Sequence, residues 1–226
     1  MKTPAKVIRV ASLICLCATL ADISRADLLY DNGPPAISGR ESTRWLQAQD
    51  FNLSNGGLIG SAAIYIADLN RDPDLSAWGG IVEYSIFSHS IDGPDQLLAS
   101  GNGSVRSLID TGVDWDFGGN AWEVLFDLET PFTAAPITTY WLGIHLDSDF
   151  GNREDVYWVR TASETGFSGY ETDRGDLESW RANRTELAFN LLAVPEPNTM
   201  ALLLVGVAPR WLPRRHRLAK QVTYHR

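Results

Sequence analysis

Apolar and polar residues alternate with period two in segment after segment of this chain, and no stretch between positions 27 and 193 sustains a helical period. Tyr140, Leu142, Ile144 and Leu146 form the clearest stripe, with Trp141, Gly143, His145 and Asp147 opposite. Trp122, Val124, Phe126 and Leu128 alternate with Glu123, Leu125 and Asp127, while Val82, Tyr84 and Ile86 alternate with Glu83, Ser85 and Phe87. Ile64 and Ile66 share one face of a strand over 58–69, with Tyr65 on the other. Further strands are predicted within 27–35, where Gly33, Pro34 and Pro35 end the run, and over 44–53 and 156–161. A weaker one spans 96–108, where Gly101 and Gly103 predict a bulge or bend. The last covers 185–193, with Leu187, Phe189 and Leu191 inward. Eight or nine short strands with Gly-, Pro- and Asp-rich breaks predict an all-β fold, a single antiparallel β-sandwich. A jelly roll is the topology expected first.

Both ends depart from this pattern. Lys2, Lys6 and Arg9 precede an apolar run over 10–21, and Ser24-Arg25-Ala26 places small residues as a signal-peptidase site requires. The run is shorter than the roughly 20 apolar residues that span a bilayer. Residues 1–26 are therefore expected to be a cleaved signal peptide, leaving one domain over 27–193. Cys15 and Cys17 both fall in that segment. The exported body then lacks cysteine, which excludes disulfides, thiolate catalysis and cysteine-ligated metal.

Charge is just as unevenly distributed. Residues 27–194 hold 9 Arg, no Lys and 26 Asp+Glu, so the body carries 9 − 26 = −17 while the whole chain carries −9. Such a body repels phosphate backbones, and nucleic acid is not an expected partner.

Beyond the last strand, Val194-Pro195-Glu196-Pro197 leads into Asn198-Thr-Met-Ala-Leu-Leu-Leu-Val-Gly-Val-Ala208, then Arg210, Arg214, Arg215 and Arg217. The prolines stiffen the exit from the domain. The 16 residues from Asn198 to Pro213 would extend about 24 Å as a helix, less than the ~30 Å hydrocarbon core, so the membrane attachment expected is transient. The Arg cluster sets a cytoplasmic C-terminus. Residues 194–226 resemble the PEP-CTERM sorting tail of bacterial surface and secreted proteins, with Pro195, Glu196 and Pro197 matching the motif position by position. The resemblance implies processing by an exosortase-like membrane enzyme. Arg210, Pro209, Pro213, Trp211 and the extension to Arg226 depart from the family pattern. The body is also similar to cysteine-poor sandwich domains found ahead of such tails, through Tyr30-Asp-Asn-Gly-Pro34, Trp78-Gly-Gly80, Tyr140-Trp-Leu-Gly-Ile144, Asp173-Arg-Gly-Asp-Leu-Glu-Ser-Trp180 and Glu186-Leu-Ala-Phe189.

Two loops carry candidate metal chemistry. Asp68, Asn70, Asp72 and Asp74 place oxygen atoms at alternate positions, as calcium loops do, but Pro73 and Gly79 occupy the positions where an EF-hand needs Gly and Glu. Asp147 and Asp149 open a second acidic stretch that runs to Asp155, in which Arg153 or a cation must offset the repulsion. Calcium is the cofactor these loops would take; solvated turns account for the same residues. Seven Trp lie in the body, and Trp158 and Trp180 are the candidates for an exposed platform stacking on sugar rings. His89 and His145 are the only body histidines, and no Gly-x-Ser-x-Gly elbow occurs. No catalytic residue is assigned. The expectation is a non-enzymatic protein exported to the cell surface or extracellular matrix, contacting exopolysaccharide or another envelope component. The competing expectation is a secreted carbohydrate-active hydrolase using acidic residues.

Overall fold

Strands form wherever the period-two pattern runs, and in the computed structural model, which describes residues 26–69, 75–151, 153–163 and 168–195, every regular element is one. They are β1 (Leu28–Asp31), β2 (Pro35–Glu41), β3 (Trp45–Asn52), β4 (Gly57–Asp68), β5 (Glu83–Ser90), β6 (Gly93–Asn102) and β7 (Ser104–Asp114). After them come β8 (Asn120–Ala134), β9 (Thr139–His145), β10 (Val156–Thr161), β11 (Tyr170–Asp173), β12 (Arg181–Ala182) and β13 (Phe189–Ala193).

Two antiparallel sheets result. In the first, β7 pairs with β8 and β8 with β4. The other side of the long β4 is divided between β13, against residues 59–64, and β10, against 66–68. Strand β1 then extends β13, and β2 extends β10. The second sheet runs β12-β11-β3-β9-β5-β6. The chain passes between sheets at Gly103, where a Cβ would lie 2.5 Å from the Phe126 ring. Only glycine lets the backbone run that close over a core aromatic.

Between the sheets lie Ile64, Ile66, Val124 and Phe126 from the first, and Tyr84, Ile86, Leu142 and Ile144 from the second. These are the stripes of the sequence pattern, and the sandwich is what buries them. Trp158 is the largest fully buried side chain; its indole N–H donates to the Ala188 carbonyl at 2.8 Å and its ring meets Phe189 edge-on.

Each sheet also has apolar residues on its outer face. On the first, Tyr65, Ala67, Trp115, Ala121, Val159 and Ala188 cluster, the loop after β7 laying Trp115 across the strands. That loop is tied down by Asp116 N–H donating to the Ile37 carbonyl at 2.9 Å. On the second, Leu46, Ala48, Phe87 and Trp141 cluster beneath Phe150, Tyr170 and Trp180.

Sequence pattern and structure differ in three places. Residues 35–41, which begin at the expected stop and otherwise lie outside the predicted strands, form β2; its alternation is weak because it extends the sheet beside β10 alone, with Pro35 at the first position, where no ladder donor is needed. The strand expected over 96–108 is two strands in different sheets. The short β11 and β12 fall in a polar stretch where cross-chain pairing, not alternation, makes the strand.

Truncating Trp158 to Ala should lower stability by about 3–5 kcal/mol, measured by urea unfolding, because it opens a cavity and leaves the Ala188 carbonyl unpaired. Burial raises both the Tyr30 and Tyr65 hydroxyls to about 12. A raised folded-state value means that the unfolded chain loses these protons first, so their stabilisation is complete below pH 10 and is lost as pH rises towards 12. Unfolding followed by circular dichroism should begin in that window, and Tyr30→Phe with Tyr65→Phe should move its onset upward.

Candidate functional site

The outward positions of β9 and β5 meet across one register: Glu83 lies directly opposite His145, and Ser85 opposite Gly143. Gly143 has to be small, because a Cβ there would lie 2.9 Å from the Phe87 ring that covers it. His145 is 1 % exposed. Its Nδ1 is 3.0 Å from Glu83 Oε2 and its Nε2 is 2.6 Å from the Thr43 carbonyl, while Phe150 stacks on the ring at 3.8 Å. Both ring nitrogens therefore have a protein oxygen as partner. No ring nitrogen remains for a substrate.

The Thr43 turn is itself held in place. Glu41 accepts from the Thr43 amide at 2.9 Å and from the Thr43 hydroxyl, which in turn accepts from the Glu154 amide at 2.8 Å. On the neighbouring edge, Arg44 donates from Nε and Nη2 to Asp173 at 3.0 and 3.3 Å. That contact holds the Asp173 carboxyl below the usual carboxylate range and anchors the turn that brings Gly175 and Leu177 to the site.

Glu83 is 39 % exposed along its side chain and stands between two clefts. The larger, about 380 Å³, is lined by Gly80, Ile81, Val82, Asn102, Gly103 and Ser148 as well as Glu83. The smaller, about 160 Å³, is bounded by Leu46, Ser85, His145, Phe150, Gly175 and Leu177. The His145 bond uses Oε2 and leaves Oε1 for a second partner. A positioned carboxylate, an amide and a hydroxyl share the larger cleft, and among the described residues no Lys or Arg lines either cleft.

The residues singled out in the sequence fare differently. Trp158 is a core residue with 0 % exposure, so it presents no face to a ligand; the same ring that could stack on sugar fills the sandwich instead. Trp180 is half-buried, edge-on to Phe87 at 5.2 Å, and acts as a cover for the outer cluster of the second sheet. The described start of the first acidic loop lies beside the end of the second, because Asp68 pairs with Val156 and Leu69 N–H donates to the Asp155 carbonyl. Asp68 is buried and accepts from the Ala77 amide; Asp147 and Asp149 accept from the amides of Ser148 and Gly151 in their own turns. Asp155 pairs with Arg153 at 2.7 Å, so an arginine offsets the acidic charge there. Among the described residues no group of three acidic or histidine side chains converges as a metal would require. Asn70, Asp72 and Asp74 lie outside the described residues.

Val194 N–H donates to the Leu58 carbonyl, and Pro195 then leaves the sheet exposed. Glu196, Pro197, Arg210, Arg214, Arg215, Arg217 and the predicted signal peptide up to Arg25 lie outside the described residues. None of the described residues forms a helix long and apolar enough to cross a membrane. Glu83, Asn102 and Ser148 were not candidates in the sequence. The signal that could have found Glu83 is its place on the polar side of one strand beside His145 on another, which needs the β5–β9 pairing across 62 residues. No protein-family model matches this chain, and no curated protein is similar to it.

Removing the ring should loosen its cover. His145→Ala should lower stability by about 1–3 kcal/mol, since the Thr43 carbonyl and Glu83 lose their donor, and should speed amide exchange over 146–151. Glu83→Gln should cost less, because its amide oxygen still accepts from the ring.

Proposed function

We propose that this chain is an exported, non-enzymatic surface or matrix protein that binds a neutral polysaccharide at the Glu83 cleft and is sorted by its PEP-CTERM-like tail. The observation that carries the binding reading is the cleft itself. Hydroxyl-rich ligands are held by a few fixed polar groups, and here a carboxylate oriented by His145 is joined by Asn102 and Ser148. A body of −17 charge, and a cleft with no basic residue among the described residues that line it, disfavour uronate or sulfated chains.

The sorting reading rests on the order of the signals: an N-terminal leader, an acidic all-β body, then Pro195-Glu196-Pro197, an apolar run and Arg210 to Arg217. The exposed Pro195 directly after the last sheet residues supports access by a membrane-bound processing enzyme. Transient membrane insertion and signal peptidase complete the expected route. The strand order supports a jelly-roll reading of the sandwich, since β1, β13, β4 and β8 face β3, β9, β5 and β6. The hydrolase reading lacks such support: His145 has no free ring nitrogen, and Asp147 and Asp149 cap their own turns.

Deleting residues 194–226 should shift the protein out of the surface fraction on cell fractionation; an unchanged distribution would refute the sorting role. On immobilised neutral and uronate polysaccharides, retention should be selective for the neutral ones. Glu83→Gln should weaken it by about tenfold or more, the size of a lost hydrogen bond to a charged group. Release of reducing sugar by the wild-type protein, abolished in the Asp147→Asn/Asp149→Asn variant, would favour the hydrolase instead.

A further inference from the structure

Three turns meet at one end of the sandwich, together with both exits of the chain. Asn52 lies opposite Thr139 and Gly57 opposite Ala134, so the β3–β4 and β8–β9 turns are neighbours. Ser88 opposite Tyr140 sets the β5–β6 turn beside them. Ala193 N–H donates to the Asp27 carbonyl and Val194 N–H to the Leu58 carbonyl, so the chain enters and leaves the body here as well. Among residues 26–28, 53–56, 91–92, 135–138 and 193–195, only Asp27 and Asp92 are charged, whereas Asp147, Asp149, Arg153, Glu154 and Asp155 crowd one link at the other end. The two most exposed large apolar side chains of the described residues, Ile91 at 94 % and Ile137 at 80 %, stand on these turns, with Leu28 and Leu58 exposed beside the exits. Ile137 also holds a φ of +54°, a left-handed conformation that costs a β-branched residue strain. Its N–H bond to the Leu53 carbonyl at 2.9 Å enforces that conformation, and the side chain so presented packs into no part of the core.

We propose that this end of the body seats on a zwitterionic lipid surface, with Ile91 and Ile137 entering the headgroup region. The inference rests on the sorting reading above. Four residues separate Pro195 from Met200, where the apolar run of the tail begins, a reach of about 17 Å at full extension. A tail held in a bilayer therefore brings this end of the body to the lipid surface at high effective concentration, where a few apolar side chains suffice for contact. Exposed apolar tips of this kind mark a membrane or protein contact, and the membrane is the partner that the exit of the tail supplies. No Lys or Arg stands on these turns, so the contact draws on apolar burial and not on anionic headgroups. Glu83 pairs with His145 at the opposite end of β5 from Ser88, so the cleft points away from the membrane, towards an extracellular polysaccharide.

The test uses the full chain carrying Cys15→Ser and Cys17→Ser, floated with phosphatidylcholine vesicles whose acyl chains bear a nitroxide quencher. A fluorophore on Ser54→Cys, in the β3–β4 turn, should be quenched, and one on Glu178→Cys, after β11 at the other end, should not. Ile91→Glu with Ile137→Glu should remove most of the quenching at Ser54→Cys, with an unchanged circular dichroism spectrum and with the chain still floating through its tail. Floating protein in which both labels are quenched alike or not at all, or a double variant quenched like its parent, would overturn the seating and leave the sorting tail standing. A chain that does not float with the vesicles would overturn both.

Discussion

Two sheets that each carry apolar residues on both faces impose a demand that a plain sandwich does not meet. Facing one another buries one side of each, through Ile64, Phe126, Ile86 and Leu142, and leaves the other sides to be covered by the connections. The loop after β7 lays Trp115 over Tyr65, Ala67 and Val159. The segments after β9 and β11 lay Phe150 and Trp180 over Leu46, Phe87 and Trp141. Several of the body's tryptophans are thereby accounted for: they give large apolar area to faces that a thin loop must shield.

The cleft is a by-product of that covering. Phe150 reaches back over His145, and the turn behind Asp173 brings in Leu177, so Glu83 is left between loops that exist to hide apolar strand residues. A histidine 1 % exposed carries a desolvation cost, offset by two hydrogen bonds and a stacked ring. Its acceptors come from different elements, so the pair ties the turn after β2 to β5 and β9. A carboxylate held in this way is pre-oriented for whatever enters the cleft, which lowers the ordering cost of binding.

Where covering stops at the cleft end of the fold, the surface is polar: the turns over 147–151 and 153–155 are held by their own amides and by the Arg153–Asp155 pair. Val194 is still bonded to the Leu58 carbonyl, and Pro195 after it is exposed.

Strand identity was legible in the sequence because an exposed-buried alternation is a property of a strand and its own sheet face: Ile64, Ile66, Val124, Leu142 and Ile144 are buried where the period placed them. The cysteine-free, acidic character of the body and the order of apolar and basic segments at the two ends are likewise properties of the sequence alone. What alternation cannot carry is who lies opposite whom. Trp158 and Trp180 look alike in sequence, yet one fills the core and the other shields an outer face, because burial depends on the neighbouring sheet. Glu83 and His145 are 62 residues apart, and only the pairing of β5 with β9 makes them one group. Local pattern determined the strands; long-range pairing, which no short window of residues encodes, decided the site.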